Sequence, residues 1–341
     1  MKRIKIAQIG CSETTHGAPV LESMLRQSDL FEVVGIADVD RHARPMYDAF
    51  KKVPMKSVEE LLATPGLDAV AVECDEVLQT KYAIMAAERG FPVLLEKPGS
   101  ESDEDFDRLV DIIEEKNLPF QVNYMYRFNP AVKYALEKVK SGALGEIYSI
   151  EAHMNCHEPD DFLEWCGVFK GGMLYYLGGH LIDLIYNIQG EPEEILPLST
   201  AVDYKDIKSN ICGFTVFKYK NGVSFAKVSG IEPGGFLRRQ LVICGTKGTI
   251  EIKPLERALQ GAVPPKDYSE LTENYYTPGT QIPGWGVEGN HIKFEPKNRY
   301  DEMMAKFAAM VRGEYANPYT PEYERRLHKL IIRACGLEPK M

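Results

Sequence analysis

Lys97 is placed where a side chain could do chemistry in an α/β protein. It follows the apolar run Val93-Leu94-Leu95 and lies between Glu96 and Pro98. The apolar run predicts a buried parallel strand that ends here, because proline cannot extend a central strand. Ligands of open α/β sheets bind outside the carboxyl ends of the strands, so Lys97 is a candidate for catalysis. The alternative is a solvated lysine that forms an ion pair with Glu96.

A second candidate set lies on one predicted helix, at about Met173 to Ile188. Tyr176, His180 and Asp183 are spaced i, i+4 and i+7, so they share one face of that helix. A histidine beside a phenol and a carboxylate could be a general base that is oriented by a hydrogen bond. The alternative is a buried histidine that Asp183 holds in a domain interface.

The N-terminal sequence predicts a strand, a glycine turn and a helix, which is the order found in dinucleotide-binding units. Gly10 ends the strand, but Ser12 stands where the fingerprint has its second glycine, and Glu13 adds a negative charge. An ordinary strand-to-helix turn is the alternative. If a dinucleotide binds, the candidate contacts in this loop are Gly10, Ser12, Thr14, Thr15 and His16.

Asp38 follows the second predicted strand, Phe31 to Ala37. An acid at this place can accept hydrogen bonds from the ribose hydroxyls of an adenosine, and it repels a 2′-phosphate. It therefore favours NAD over NADP, although the nearby Arg41 weakens that preference. The alternative is an aspartate that only forms a turn.

Composition excludes several classes of protein. The 341 residues suggest two domains, and 44% hydrophobic residues argue against disorder. A net charge of −10 argues against nucleic-acid partners, and no apolar stretch approaches the roughly 18 residues of a membrane span. Seven scattered cysteines indicate reduced thiols in a cytoplasmic protein. His153, Cys156 and His157 lack a fourth ligand at a recognisable spacing, so no metal site is predicted.

The order of the predicted elements indicates two domains. Strands alternate with helices over residues 1–123, which predicts a doubly wound parallel sheet of the Rossmann type. Over residues 124–341 strands follow one another, and Asn221-Gly222 is typical of a hairpin, so we expect an α+β domain with an open, mostly antiparallel sheet. One face of that sheet needs a cover, which makes a homodimer or homotetramer plausible. The Pro- and Gly-rich residues 264–289 predict a long surface excursion.

Four motifs resemble the glucose-fructose oxidoreductase, inositol dehydrogenase and rhizopine-catabolism family (Gfo/Idh/MocA). They are Glu96-Lys97-Pro98, the segments 126–130 (YRFNP) and 141–145 (SGALG), and the glycine-rich stretch from Gly171 to Asp183 that contains His180. The resemblance spans nearly the whole chain. It implies a Rossmann domain, a bound nicotinamide dinucleotide, and hydride transfer between nicotinamide and the hydroxyl-bearing carbon of a sugar or cyclitol.

The resemblance also implies roles for single residues. Lys97 would polarise the substrate oxygen, and His180 would take its proton as general base. Tyr176, the third candidate catalytic residue, stands where the family usually has Asp. The Lys97–Pro98 bond is expected to be cis. The substrate contacts would be Lys97, Arg127, His153, Trp165, Tyr176 and His180, and further cofactor contacts would be Cys74, Glu76, Gln79, Glu96 and Lys97.

The departures from the family pattern leave other functions open. Glu76 and Gln79 replace an Asn and a His of the usual loop, so the cofactor crevice is more acidic. One alternative is an enzyme that keeps NAD bound and uses transient oxidation to cleave or epimerise a glycoside. Another is a regulatory protein that binds sugar or NAD without turnover.

Overall fold

The computed structural model describes residues 2–11, 15–40, 48–199, 202–259, 266–276 and 289–337. The chain divides into two compact units, the first formed by Met1–Met125 with Tyr300–Lys329 and the second by Tyr126–Arg299 with Leu330–Met341. None of the helices in the described ranges combines the length and the apolar character that a membrane span needs.

The first unit is built on a parallel sheet with the strand order β2-β1-β3-β4-β5. The order reverses between β1 and β3, so right-handed crossovers place helices on opposite faces. This is the doubly wound Rossmann-type sheet that the sequence predicts. The elements are β1 (Ile4–Ile9), α1 (Gly17–Arg26), β2 (Phe31–Ala37), α2 (Val58–Leu62), β3 (Ala69–Val72), α3 (Gln79–Glu88), β4 (Val93–Leu95), α4 (Asp103–Glu115) and β5 (Phe120–Val122).

Local sequence signals set the helix ends in this unit. Ser57 and Glu60 form a capping box at the start of α2. The Ser102 side chain caps α4, whose first turn carries three acids that the helix dipole favours. Gly90, with φ of +84°, follows α3 in the left-handed conformation that glycine adopts without strain. These ends agree with the sequence-based prediction.

The second unit contains a larger sheet with the order β15-β14-β11-β10-β6-β9-β8-β7. Every neighbouring pair in its described strands is antiparallel except β6 with β9, so the sheet is mostly antiparallel, as predicted. A separate two-stranded sheet pairs β12 with β13. The helices are α5 (Pro130–Lys140), α6 (Asp160–Trp165) and α7 (Gly179–Gln189), and the strands are β6 (Ile147–Asn155), β7 (Glu194–Pro197), β8 (Cys212–Tyr219), β9 (Gly222–Ser229), β10 (Gln240–Gly245), β11 (Gly248–Ile252), β12 (Arg257–Leu259), β13 (Lys266–Tyr268), β14 (Glu270–Tyr275) and β15 (Asn290–Lys293).

The single helix predicted from Met173 to Ile188 is two pieces in the structure. A π-helical turn covers Leu174–Gly178, and α7 begins at Gly179. The turn packs tightly on the sheet, since a Cβ added at Gly213 of β8 would lie 2.6 Å from the Leu174 Cβ atom. Apolar spacing alone does not separate a π turn from an α turn, because both bury the same residues. Such turns are frequent at functional sites.

The surface excursion predicted for residues 264–289 is wrong in part. β13 and β14 lie within it, and β14 pairs along its length with β11 of the large sheet. Burial alternates along most of Glu270–Tyr275, as expected for a strand. The prolines and glycines around it favour a loop, which is why the sequence does not predict the strand. Residues 277–288 lie outside the described residues.

The chain closes with two helices, α8 (Asp301–Val311) and α9 (Pro321–Ala334). Ser23 of α1 donates a hydrogen bond to Asp301 at 2.7 Å, and His328 Nδ1 lies 2.9 Å from Asp103 Oδ1. These contacts place Tyr300–Lys329 in the first unit. The predicted division at residue 123 assigned the segment to the second domain, because local patterns do not reveal which sheet a terminal helix covers.

Candidate functional site

Three polar residues form a row along the carboxyl edge of the parallel sheet. Glu73, Glu96 and Asn123 directly follow β3, β4 and β5. The Glu96 N–H donates to Val72 O and the Asn123 N–H to Leu95 O, both at 2.9 Å, so the ladder continues through the row. All three side chains are buried. The parallel topology therefore delivers two carboxyls and an amide to one place.

Glu73 and Glu96 face each other in this row. Burial raises the pKa of Glu73 well above its ordinary value, and the charge of Glu96 raises it further. Two facing buried carboxyls do not both ionise readily, which explains the raised pKa of Glu73. Asn123 Nδ2 donates to Glu73 Oε1 at 2.6 Å. The sequence analysis named Glu96 but missed Glu73; the available signal was an acid directly after a fully buried strand.

Lys97 is 1% exposed, which is unusual for an ammonium group. Its charge opposes the rise in the pKa of Glu73 and of Glu76, so the lysine lies close to both acids. The Lys97–Pro98 bond is cis, as the family resemblance implied. The lysine predicted to act on the substrate is thus held among carboxyls that compensate its charge.

Glu76 is the third buried acid at this edge and is 1% exposed. Burial raises its pKa well above the ordinary value; Lys97 opposes that rise, whereas Glu96 and Asp75 add to it. In the described part of the chain no other residue donates to its carboxylate oxygens at hydrogen-bond geometry, and its own backbone N–H only partly opposes the raised pKa. Such buried oxygens are costly unless a partner arrives.

Gln79, predicted to contact the cofactor, has its amide occupied by the backbone. Its Nε2 donates to Cys74 O at 3.2 Å, and its Oε1 accepts from the Gly99 N–H at 3.1 Å. The amide thus ties the loop after β3 to the turn that carries Lys97. Cys74 itself is fully buried. Both residues shape the edge of the sheet, and their role toward a cofactor stays a prediction.

The loop between β1 and α1 is described only in part, since Ser12, Glu13 and Thr14 lie outside the described residues. Gly10 has φ of +110°, and a Cβ there would lie 2.2 Å from Cys74 N, so only glycine fits. Thr15 Oγ1 donates to Glu73 O at 2.8 Å, and His16 Nδ1 lies 3.4 Å from Glu96 Oε1. Both side chains thus bind the acidic row.

Asp38 is exposed at the end of β2, as the sequence analysis expected, and its Oδ1 accepts from the Asp40 N–H at 3.2 Å. Asp40 lies deeper. Its carboxyl accepts the backbone N–H groups of Cys11 and Asp75, and burial raises its pKa to about 6. Asp40 links the loops after β1, β2 and β3, a role that the sequence analysis missed. Arg41 lies outside the described residues.

These features fit a nicotinamide dinucleotide. The strand order reverses between β1 and β3, which is where doubly wound sheets bind nucleotides. The N-cap residue of α1, His16, makes no side-chain cap. In the first turn the Gly17 N–H donates to Thr15 Oγ1 at 3.4 Å. Pro19 has no N–H, which leaves the Ala18 N–H for a pyrophosphate. The exposed Asp38 carboxylate is placed for a ribose. The orphaned oxygens of Glu76 fit a cationic group.

In the second unit, Arg127 forms a buried ion pair with Asp183. Arg127 Nη2 lies 2.7 Å from Asp183 Oδ1, and Nε donates to both carboxylate oxygens at 3.0 Å. Both side chains are buried. The ion pair gives Arg127 a structural partner, and its contact with the substrate stays a prediction. Spacing along α7 could not reveal that Asp183 serves an arginine.

His180 lies on α7 and is 2% exposed. Its ring meets that of Tyr126 edge-on, with centroids 5.1 Å apart. Burial raises the pKa of Tyr126 well above its ordinary value, and Glu256 raises it further. Glu256 is in turn paired with Arg239 and, at 2.7 Å, with Arg299. A fixed charged network therefore supports the ring against which His180 packs.

Tyr176 and Trp165 belong to one aromatic cluster. The Tyr176 ring contacts Phe162, Trp165 and Phe169 with centroids 5.5, 5.6 and 6.2 Å away. Tyr176 lies in the π-helical turn and His180 in α7, so the two residues do not belong to one continuous α-helix as the spacing assumed. The predicted substrate residues Trp165 and Tyr176 thus contact each other, and both also contact Phe169.

His153 lies on the other face of the large sheet from the π-helical turn that precedes α7. Leu174 of that turn packs against Gly213 of β8. Gly213 is paired with Val228 of β9, and Val228 with Met154 of β6, so Met154 points to the same face as the turn. Since side chains alternate, the next residue along β6, His153, points to the opposite face, where it contacts Phe225. The role of His153 toward the substrate therefore stays a prediction from the sequence. Within the described ranges, no group of three His, Cys, Asp or Glu residues is arranged to hold a metal ion.

Comparisons with known proteins agree with this architecture. The model of an oxidoreductase family with an NAD-binding Rossmann fold matches residues 4–124, and the GFO/IDH/MocA C-terminal domain matches residues 132–251. An uncharacterised oxidoreductase of Rhizobium meliloti is 33% identical over 92% of this chain and 90% of its own length. A D-xylose 1-dehydrogenase (NADP(+)) of Haloferax volcanii is 27% identical over 81% of this chain and 78% of its own length.

A solved structure shows the same fold. The WlbA dehydrogenase of Bordetella pertussis, crystallised with NADH and UDP-GlcNAcA, superimposes with a TM-score of 0.73 at 19% identity, over 98% of this chain and 97% of that protein. The matches to both domain models cover most of the chain, and the parallel sheet with its buried lysine agrees with them. The protein is an oxidoreductase of the Gfo/Idh/MocA family.

Proposed function

We propose that this protein is an NAD-dependent dehydrogenase that transfers a hydride between nicotinamide and the hydroxyl-bearing carbon of a sugar or cyclitol. The main support is Lys97, a buried ammonium that directly follows β4 at the carboxyl edge of a Rossmann-type sheet. An ammonium in such a place can stabilise negative charge on an oxygen, because the surrounding dielectric is low. The xylose dehydrogenase named above is consistent with a sugar substrate.

Each proposed catalytic group has a separate task. The Lys97 ammonium donates a hydrogen bond to the substrate oxygen and stabilises the charge that grows on it. His180 accepts the hydroxyl proton on an imidazole nitrogen, and the Tyr126 ring limits how its own ring can turn. Tyr176 stays a candidate for orienting the substrate within its aromatic cluster. The bound nicotinamide supplies the hydride acceptor.

The cofactor assignment rests on the first unit. Gly10 and the start of α1 would hold the pyrophosphate, and Asp38 the adenosine ribose. Glu96, Lys97, Cys74, Glu76 and Gln79 would border the other half. The exposed carboxylate of Asp38 favours NAD, since it repels a 2′-phosphate. NADP remains the comparison to test, because the Haloferax relative is named for it.

Assembly and location are also part of the proposal. On the face of the large sheet that carries His153, Phe214, Val216, Val223, Phe225 and Val242 are partly or fully exposed among the described residues. A homodimer or homotetramer formed through this face would bury them. The scattered cysteines form no disulfide in the described ranges, which is consistent with a cytoplasmic protein.

The test is a screen of sugars and cyclitols for NADH formation, repeated with NADP. With a substrate identified, Lys97→Ala should lower kcat by about 10³-fold and His180→Ala by about 10²- to 10⁴-fold. Lys52→Ala and His291→Ala, which remove an exposed lysine and an exposed histidine, are the matched controls and should keep full activity. Full turnover by both site variants would contradict the proposed roles.

A further inference from the structure

We infer that Glu73 and Glu76 make this site prefer the oxidised nicotinamide ring over the reduced one, and that binding of NAD⁺ releases a proton. The inference deepens the proposed function and rests on it. The oxidised ring carries a positive charge, and the reduced ring is neutral. A site lined with carboxyls therefore binds the oxidised cofactor more tightly than the reduced one.

The geometry concentrates acid at one edge of the sheet. Glu73, Glu76 and Glu96 have at most 1% of their surface exposed, and they lie at the carboxyl ends of β3 and β4. Lys97 compensates part of their charge. Glu76 adds an independent sign of a missing ligand, since its carboxylate oxygens are buried without a donor from another residue in the described ranges. A buried carboxyl without a donor is stabilised when a cation arrives.

The topology says which half of the dinucleotide meets these acids. The ribose of the adenosine half belongs at Asp38 after β2, and the pyrophosphate at α1. The strand order β2-β1-β3-β4 then leaves the ends of β3 and β4 for the nicotinamide half. The buried acids stand at those ends, so the ring that changes charge during hydride transfer is the part of the cofactor that they face.

The release of a proton on NAD⁺ binding follows from the same arrangement of buried acids. The acids of this edge are protonated more than exposed acids would be, because burial and mutual repulsion raise the pKa of Glu73 and Glu76. A cationic ring stabilises their ionised forms, so NAD⁺ should bind more tightly as the pH rises, whereas NADH should not. Groups facing them also take part in the balance, namely Glu96, Lys97, Asp75 and His16, and the nearby Asp40, whose pKa is about 6.

The experiment measures dissociation constants of NAD⁺ and NADH by titration calorimetry between about pH 6 and 8, in two buffers of different ionisation enthalpy. The intact protein should bind NAD⁺ at least about tenfold more tightly than NADH at the upper pH, and release about one proton with NAD⁺. Glu73→Gln and Glu76→Gln should each reduce the NAD⁺ preference about fivefold and reduce the proton release. The control is Glu115→Gln, which removes an exposed acid at the C-terminal end of α4.

Circular dichroism checks that both variants are folded, and the quantity compared is the ratio of the NADH and NAD⁺ dissociation constants rather than either affinity alone. Equal affinity of the intact protein for both forms would overturn this inference and leave the proposed function standing. If the variants bind NADH normally but keep the full NAD⁺ preference, other groups cause that preference, and the inference is overturned. Binding of neither form would overturn the proposed function as well.

Discussion

Buried carboxyls occur in both units, but they meet opposite surroundings. In the second unit, Asp183 is matched by Arg127, and Glu256 by Arg239 and Arg299. In the first unit, Glu73 faces another acid, Glu96. The arginines hold the pKa of Glu256 below its ordinary value although burial alone would raise it. The pKa of Glu73 is raised, with burial as the main cause.

The difference separates a structural use of charge from a functional one. An arginine never loses its proton at accessible pH, so a carboxylate beside it is permanently charged and its geometry stays fixed. Acids that face each other around one lysine change their protonation when a neighbour changes its charge. The second pattern is expected where protons or ligand charges move. The three predictions below test this contrast, beginning with the largest effect.

Asp183→Asn should destabilise the protein most. The change leaves the Arg127 guanidinium buried opposite a neutral amide, and an uncompensated buried charge costs about 3–5 kcal/mol. Urea unfolding gives the loss in free energy. Replacing both partners, Arg127→Met with Asp183→Leu, should restore most of the stability because no charge is then left buried. A loss of under about 1 kcal/mol in Asp183→Asn would contradict the structural role of the pair.

Glu256→Gln should cost about 2 kcal/mol at neutral pH, because Arg239 and Arg299 lose a charged acceptor. The lowered pKa of Glu256 means that its stabilisation is present above the ordinary value of 4.5 and is lost as the pH falls through the folded-state value. The difference between intact protein and variant should therefore shrink on acidification. Urea unfolding along a pH series measures it, and a difference that grows toward acid would contradict the assignment.

Glu73→Gln should have the smallest effect, with the opposite dependence on pH. The amide replaces a carboxyl that is held protonated, so stability should change by less than about 1 kcal/mol near pH 5. The raised pKa of Glu73 makes the intact protein lose stability as the pH rises above the ordinary value of 4.5. The variant should therefore become steadily more stable relative to the intact protein as the pH rises from about 5 to 8.

The control for this pH series is Glu115→Gln, whose exposed position should give a difference that does not vary with pH. A Glu73→Gln variant that loses stability relative to the intact protein as the pH rises would mean that Glu73 is ionised and paired. The contrast between the two units would then be wrong at this residue.

Much of the fold could be predicted because its signals are local. The capping box at Ser57 and the Asn221-Gly222 hairpin depend on a few neighbouring residues, and both are present in the structure. The strand that ends before Glu96 was predicted for the same reason, since proline cannot continue it. The cis Lys97–Pro98 bond came from the family resemblance and is confirmed.

The sequence does not show the contacts of residues whose partners lie far along the chain. Arg127 pairs with Asp183, 56 residues away in the sequence, and no spacing along α7 predicts that pair. Periodicity places His153 on a strand but does not tell which face of the sheet its side chain occupies. The segment Tyr300–Lys329 belongs to the first compact unit although it follows the second sheet along the chain.

The sequence by itself determined the succession of strands and helices in the first unit, the parallel character of its sheet, and the position of Lys97 at the end of β4. These follow from periodicity, capping and proline, which act over a few residues. Only the tertiary structure decided the electrostatic character of the buried acids. Strand order brings Glu73 beside Glu96 and leaves Glu256 beside two arginines, and the protonation of a carboxyl depends on its neighbours in space rather than along the chain.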